Sequence, residues 1–246
     1  YKGDFLYGDI KFKNVSYCYP NTNKFIFKDL NLELKKGQII GIIGKSGSGK
    51  STLVDLILGL LDPDSGNILV DDIDIKKNNH LWQKNIGYIP QDIYLLDDTI
   101  KNNIIFGIED SNIDYKLLSK VIKIAQLEKF IENSKFKLDT VVGNRGIKIS
   151  GGEKQRIGIA RALYNNPKVL IFDEATSALD IDNENKILEE IYNRLNDKTI
   201  IIISHRNNTV KYCDSIYVME DGKVIDNGSF EVIMKKYDYL KEDKVN

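Results

Sequence analysis

Apolar and polar residues alternate from Ile10 to Tyr19 and again from Phe25 to Leu34, a period of two that predicts half-buried antiparallel strands. The pattern then changes. Gln38 to Ile43 is an almost unbroken apolar run, suited to a strand covered on both faces, and Lys50 to Leu61 is rich in helix formers. Asp62-Pro63-Asp64-Ser65-Gly66 carries strong turn chemistry, so the helix is expected to end there and Asn67 to Ile75 to return as strand. After a further strand from Ile86 to Pro90, the period from about Thr99 to Ala162 is helical, without a convincing buried strand, which implies an inserted helical lobe. Strand signals resume at Val169-Leu170-Ile171-Phe172 and Ile200-Ile201-Ile202-Ile203. Between them a helix is expected from about Asn183 to Leu195, with Ile187, Leu188, Ile191 and Leu195 on one face. Short buried strands alternating with helices predict an α/β fold with a mostly parallel sheet, preceded by an antiparallel β subdomain. The Lys-rich end, Lys235 to Asn246, reads as a fraying helix and tail.

The chain of 246 residues is long enough for a sizeable core in one domain of two lobes. Thirty-five Lys and Arg against 36 Asp and Glu leave a net charge of −1, and the lysines are scattered, so there is no electrostatic case for nucleic-acid binding. Cys18 and Cys213 have neither metal nor redox spacing and are expected to be incidental thiols in a reducing setting. No run approaches the roughly 18 apolar residues that span a bilayer, and Tyr1-Lys2-Gly3-Asp4 is no signal peptide, so the domain by itself is expected to be soluble.

Candidate chemistry begins at Gly44-Lys45-Ser46-Gly47-Ser48-Gly49-Lys50-Ser51, which fits G-x-x-x-x-G-K-[ST] between a buried strand and a helix. In that context glycines let backbone N–H groups turn inward around phosphate oxygens, with a helix N-terminus facing the negative charge. Lys50 is expected to reach the β- and γ-phosphates, and the Ser51 hydroxyl to ligate Mg²⁺. Asp173 and Glu174 follow the apolar run Val169 to Phe172, and carboxyl ends of strands are where open α/β sheets bind ligands. Asp173 would hold Mg²⁺ through water, and Glu174 would polarise an attacking water. His205, after the next apolar strand, is by itself either structural or aimed at the same phosphates. Ser150-Gly151-Gly152-Glu153 opens a second helix suited to an anion, and one triphosphate needs only one cradle, so this one is assigned to the nucleotide of another subunit. Ser150-x-x-Glu153 is also a capping-box pattern.

In order, these pieces resemble the nucleotide-binding domain of ATP-binding cassette (ABC) transporters from Tyr19 to about Lys236. Gly44 to Thr52 is similar to the family's Walker A, Val169 to Glu174 to its Walker B, and Ile149 to Arg156 to its signature motif. Ser177-Ala178-Leu179-Asp180 is similar to its D-loop, Gln91 to its Q-loop residue and His205 to its switch histidine. The resemblance implies a P-loop NTPase core with an inserted α-helical subdomain. It implies one ABC ATPase domain over 1–246, with an ATP-binding core lobe (1–91 and 165–246) and a helical lobe (92–164). It implies ATP and Mg²⁺ as ligands, with Gly44, Lys45, Ser46, Gly47, Ser48, Gly49, Lys50, Ser51 and Thr52 around the phosphates and Tyr19 stacked on adenine. Ser51, Gln91 and Asp173 would surround the metal, Glu174 would be the general base, and Lys50, Gln91 and His205 would act with it. Ser150, Gly151 and Gly152 would serve the nucleotide of a second copy in a head-to-tail dimer.

Thr140-Val141-Val142-Gly143-Asn144-Arg145-Gly146 resembles the T-x-V-G-E-x-G segment of exporters, with Asn144 where glutamate is usual. That implies transmembrane domains as partners, on the same polypeptide, and a place at the cytoplasmic face of the cell membrane. The wording from Tyr94 to Ile104 is similar to that of polysaccharide and lipid-linked oligosaccharide flippases, although peptide, lipid and drug exporters stay open. The alternative is an ABC ATPase of the translation-factor or chromosome-maintenance type, but the stretch between Lys50 and Ser150 suits only a compact helical lobe. A GTPase or kinase reading lacks N-K-x-D and leaves Ser150 to Arg156 unexplained.

Overall fold

The computed structural model describes residues 6–22, 24–176, 179–204 and 206–237. The chain begins with β1 (Ile10–Cys18), β2 (Phe25–Leu34), β3 (Ile39–Gly44), α1 (Lys50–Ile57), β4 (Ser65–Val70), β5 (Ile73–Asp74), α2 (Asn79–Gln83) and β6 (Ile86–Ile89). The helical stretch follows, with α3 (Ile100–Ile104), α4 (Tyr115–Ile124), α5 (Glu128–Asn133) and α6 (Gly151–Tyr164). Then come β7 (Val169–Asp173), α7 (Ile181–Arg194), β8 (Thr199–Ile203), α8 (Asn207–Val210), β9 (Ser215–Glu220), β10 (Lys223–Gly228) and α9 (Phe230–Lys236). By packing these form two compact units, one of Tyr1–Ile86, Lys168–Asp173 and Asn196–Asn246, the other of Gly87–Pro167 and Glu174–Leu195.

The first unit holds one whole sheet and five strands of another. One is antiparallel in the order β2-β1-β4-β5, with Ile10 opposite Leu34 and Phe12 opposite Leu32, all four buried, as the period of two requires. The five strands of the other run β10-β9-β3-β8-β7, with β9, β3, β8 and β7 parallel and β10 antiparallel at the edge. Ile40, Ile42, Ile200, Ile201 and Leu170 are all fully buried, which explains why these strands read as continuous apolar runs. Gly41 allows close packing there, since a Cβ on it would come 3.2 Å from Cys213 Sγ. Both cysteines are free, and burial pushes the Cys213 thiol up to about 12.

Two elements differ from expectation. Asn67 to Ile75 is not one strand but a hairpin, because Asp71 and Asp72 adopt φ 52° and 60°, the left-handed pair of a two-residue turn. Helix α1 stops at Ile57 rather than Leu61. Gly59 turns at φ 66° while α2 takes over the last carbonyls: Trp82 Nε1 donates to Ile57 O (2.6 Å), Gln83 Nε2 to Leu58 O (3.1 Å) and Asn79 Nδ2 to Gly59 O (3.0 Å). The β9–β10 hairpin was not anticipated at all.

The second unit is helical. α3 and α4 pack on α6, and α7 packs on α4; Ile187, Leu188 and Ile191 of α7 are buried, with Leu195 buried just beyond. That packing groups Glu174–Leu195 with the helices, whereas the sequence boundaries put this stretch with 165–246. Among the described residues no helix is long and apolar enough to cross a membrane. The expected tail beyond Tyr237 lies outside the described residues.

Candidate nucleotide site

The loop after β3 is shaped by what its glycines must avoid. At Gly44 a Cβ would overlap the Met219 carbonyl oxygen of neighbouring β9. Gly47 and Gly49 take φ 80° and 103°, a region that L side chains resist. Gly49 is the N-cap of α1, so no side chain caps the first-turn N–H groups, and no acid competes for them. Lys50 is only 6% exposed and turns its ammonium back over the loop, donating to Gly44 O (2.9 Å) and Lys45 O (3.0 Å). The Ser48 hydroxyl is buried and has no hydrogen-bond partner among the described residues. A buried polar atom without a partner is destabilising, so this one is suited to a ligand oxygen. Lys45, Ser46, Gly47 and Ser51 are exposed around it. The set is a cationic, donor-rich loop whose chemistry suits a polyphosphate.

The sheet register brings Asp173 to the same edge. Ile42 of β3 is opposite Ile203 of β8, and Ile203 is opposite Asp173 of β7. Two strand spacings put the Asp173 backbone about 10 Å across the sheet from Ile42. Ser204, after β8, is buried and accepts the Arg206 N–H on its Oγ at 2.9 Å. His205 lies outside the described residues.

Tyr19 follows β1 and is 38% exposed, so it is no core residue. Its hydroxyl is 3.0 Å from Thr52 Oγ1 on α1, and the Tyr17 ring meets its own edge-on with centroids 5.2 Å apart. Tyr19, residues 44–52 and Asp173 thus share the first unit. Gln91 and Glu174 belong to the second: Gln91 is exposed in the bend after β6, and Glu174 stands at φ 51°, so the chain turns sharply after Asp173.

In the second unit Ser150 is the N-cap of α6 and forms the capping box its sequence predicts. Glu153 N–H donates to Ser150 Oγ (3.2 Å) and Ser150 N–H to Glu153 Oε2 (2.8 Å). Asp180 caps α7 by accepting the Asn183 N–H at 2.9 Å, a bond that holds its carboxyl below the usual range. Ser177 and Ala178 lie outside the described residues. In the stretch from Thr140 to Gly146, Arg145 adopts φ 54° and sets its guanidinium 5.8 Å from the centre of the Tyr94 ring.

Sequence reasoning missed the hub of this unit. Arg161 Nε donates to Asn103 O (2.7 Å), one terminal nitrogen to Tyr94 O (2.7 Å) and the other to Asn103 Oδ1 (2.8 Å). Asn103, wholly buried, also accepts the Leu96 N–H on Oδ1 (2.9 Å) and donates to Thr99 O (3.0 Å). The available signal was an asparagine at a position its helix buries.

Known proteins of similar sequence and fold identify the family. The ABC transporter family model matches residues 27–177. The chain is 39% identical to the leukotoxin translocation ATP-binding protein LktB of Pasteurella haemolytica-like sp. (strain 5943B), over 98% of this chain and 34% of that protein. It is equally similar, with the same coverage, to the leukotoxin export ATP-binding protein LtxB of Aggregatibacter actinomycetemcomitans. It therefore spans about a third of the length of these relatives. A bacterial Atm1-family ABC exporter solved with ATP bound superposes with a TM-score of 0.91 at 34% identity, over 98% of this chain and 43% of that one. With its P-loop core, helical unit and ordered motifs, the chain belongs to the ABC transporter family, as an ATP-binding ATPase domain.

Proposed function

We propose that this domain hydrolyses MgATP at sites shared between two copies of itself and powers export through a membrane part carried on the same polypeptide. The observation that carries the reading is the loop of residues 44–51, with its buried, unpartnered Ser48 hydroxyl, folded-back Lys50 ammonium and uncapped helix start. In this reading Lys50 exchanges its carbonyl partners for β- and γ-phosphate oxygens, while the loop N–H groups hold the same oxygens and Tyr19 stacks on adenine. Among the described residues no cluster of three or more His, Cys, Asp or Glu offers a ready-made metal cage. Ser51, Gln91 and Asp173 instead suit Mg²⁺, which favours a few protein oxygens completed by phosphates and water. Bound there, Mg²⁺ neutralises phosphate charge. Glu174 takes the proton of the attacking water, and His205 contacts the γ-phosphate.

Ser150, Gly151 and Gly152 of a second copy close each site. Support comes from the exposed N-terminus of α6, whose capping box still leaves the Ser150 hydroxyl proton to donate. The functional lobes we assign are 1–91 with 165–246 for nucleotide and 92–164 for the signature. Export at the cytoplasmic face of a membrane rests on the named relatives and on the Thr140 to Gly146 segment.

Glu174→Gln tests the chemistry, since the amide keeps the shape but cannot accept the proton. Steady-state ATP hydrolysis is expected to disappear while ATP affinity stays within about twofold of wild type. Turnover within about threefold of wild type would remove Glu174 from the base role.

A further inference from the structure

The phosphate loop is braced from the far end of the chain. β9 and β10 are joined by the two-residue turn Asp221–Gly222, both residues at positive φ (46° and 72°), with Glu220 opposite Lys223. The Gly222 N–H leaves its hairpin and donates to Ser48 O at 3.1 Å. Beside it, Met219 O fills the space where Gly44 has no Cβ, and the Glu220 carboxylate lies 3.6 Å from the Lys45 ammonium. On the other side the turn abuts β2, since a Cβ on Gly222 would overlap the Ile26 carbonyl oxygen and one on Gly49 would sit 3.0 Å from the Phe27 ring.

The bond to Ser48 O has a directional effect. A trans peptide is planar, with its carbonyl and the following N–H pointing opposite ways. Holding Ser48 O toward the turn therefore aims the Gly49 N–H away from it. Gly49 and its neighbours have few internal constraints. Ser48 N–H reaches Lys45 O at 3.2 Å, and the Lys50 ammonium holds the loop's first two carbonyls. Only the Gly222 bond fixes the peptide between Ser48 and Gly49 from outside the loop among the hydrogen bonds described for it.

We infer that the Asp221–Gly222 turn is a positioning element for nucleotide, with Gly222 N–H presetting the Ser48–Gly49 peptide before ligand arrives. This rests on the reading of residues 44–51 as the phosphate cradle. The Glu220–Lys45 pair is half exposed and screened, so it is assigned a minor share.

Gly222→Ala would force a side chain onto the Ile26 carbonyl and risks the fold, so the decisive variant deletes only the donor. Native chemical ligation at Cys213 allows residue 222 to be replaced by glycolic acid, which turns its N–H into an ester oxygen without adding a side chain. Hydrogen–deuterium exchange of the nucleotide-free chain reads the loop directly, and titration with a fluorescent ATP analogue reads affinity. The ester chain is expected to exchange several-fold faster over residues 44–51 and to bind the analogue about fivefold more weakly, the size of one lost hydrogen bond. Its exchange over α6 should match a ligated all-amide control, which a general loss of stability would not allow. Glu220→Gln should change affinity by less than about twofold. Equal exchange over 44–51 in ester and amide chains overturns the inference, whatever the affinity. Failure of the amide control to bind the analogue would instead count against the cradle itself, and the exchange comparison would still decide the brace.

Discussion

Replacing Arg161 with alanine is the most direct test of how the helical unit is held together. The guanidinium makes three short bonds to two segments, Tyr94 and Asn103, that lie far from it in sequence. Burial lowers its pKa, but a guanidinium tolerates that while staying charged at neutral pH. Bonds to a charged donor contribute about 1.5–3 kcal/mol each, but three on one side chain do not add. Asn103 Oδ1 also keeps its Leu96 partner when Arg161 is gone. A loss of about 3 kcal/mol follows. For a chain of this size each kcal/mol shifts the melting temperature by about 2–4 °C, so Arg161→Ala should melt about 6–12 °C lower by scanning calorimetry. Arg161→Lys can keep one of the three bonds and should fall roughly midway. Hydrogen exchange over residues 94–103 should rise in both, more in the alanine variant. A shift below about 2 °C for Arg161→Ala, or unchanged exchange over 94–103, would refute the idea that this side chain anchors the segment.

Two further outcomes follow from individual side chains. Glu153→Gln keeps an oxygen for the Ser150 N–H and removes only the charge, so ATP-driven dimerisation in a Glu174→Gln background should tighten about two- to fivefold at low salt and less at high salt. Weaker dimers at low salt would mean that capping outweighs repulsion. Asp9 accepts the Lys36 N–H (2.9 Å) and the Lys35 ammonium (3.0 Å), which hold its carboxyl below the ordinary value. A depressed folded pKa stabilises above the unfolded value and is lost as pH falls through the folded one. Asp9→Asn should therefore lower stability to urea at neutral pH and match wild type in strong acid, where the Asp9 carboxyl is protonated in folded and unfolded chains alike. A deficit that persists unchanged into acid would sink the electrostatic account.

What could be read from the residues was whatever is local. The strand, loop and helix from Ile39 to Ile57 are contiguous, and each local preference agrees with the final structure. The same is true of Ser150 and Glu153, whose capping geometry is fixed by a spacing of three. Misreadings arose where a short polar signal sat among apolar neighbours. Asp71 and Asp72 were absorbed into a strand because flanking Ile and Val dominate the window, although aspartate tolerates the left-handed conformation they adopt. Leu58, Leu60 and Leu61 looked helical, but the Trp82, Gln83 and Asn79 donors that end α1 come from another element. Arg161 and Gly222 act through partners tens of residues away or more, and no periodicity encodes such a meeting. Asp221-Gly222, by contrast, is a local hairpin signal in the residues themselves.

The position of β3 in its sheet bears on how the protein is born. β3 lies between β8 and β9, so the strand that launches the phosphate loop has neither neighbour until residues 199–203 and 215–220 have left the ribosome. At elongation rates of about 5–20 residues per second, the wait from Gly44 to Gly222 is on the order of ten to forty seconds. During it the apolar run Ile39 to Ile43 has two open hydrogen-bonding edges, the kind of segment that pairs with other chains. Throughout that wait the loop lacks the Met219 and Gly222 contacts that brace it. Chaperone demand should therefore fall on chains paused between β3 and β9.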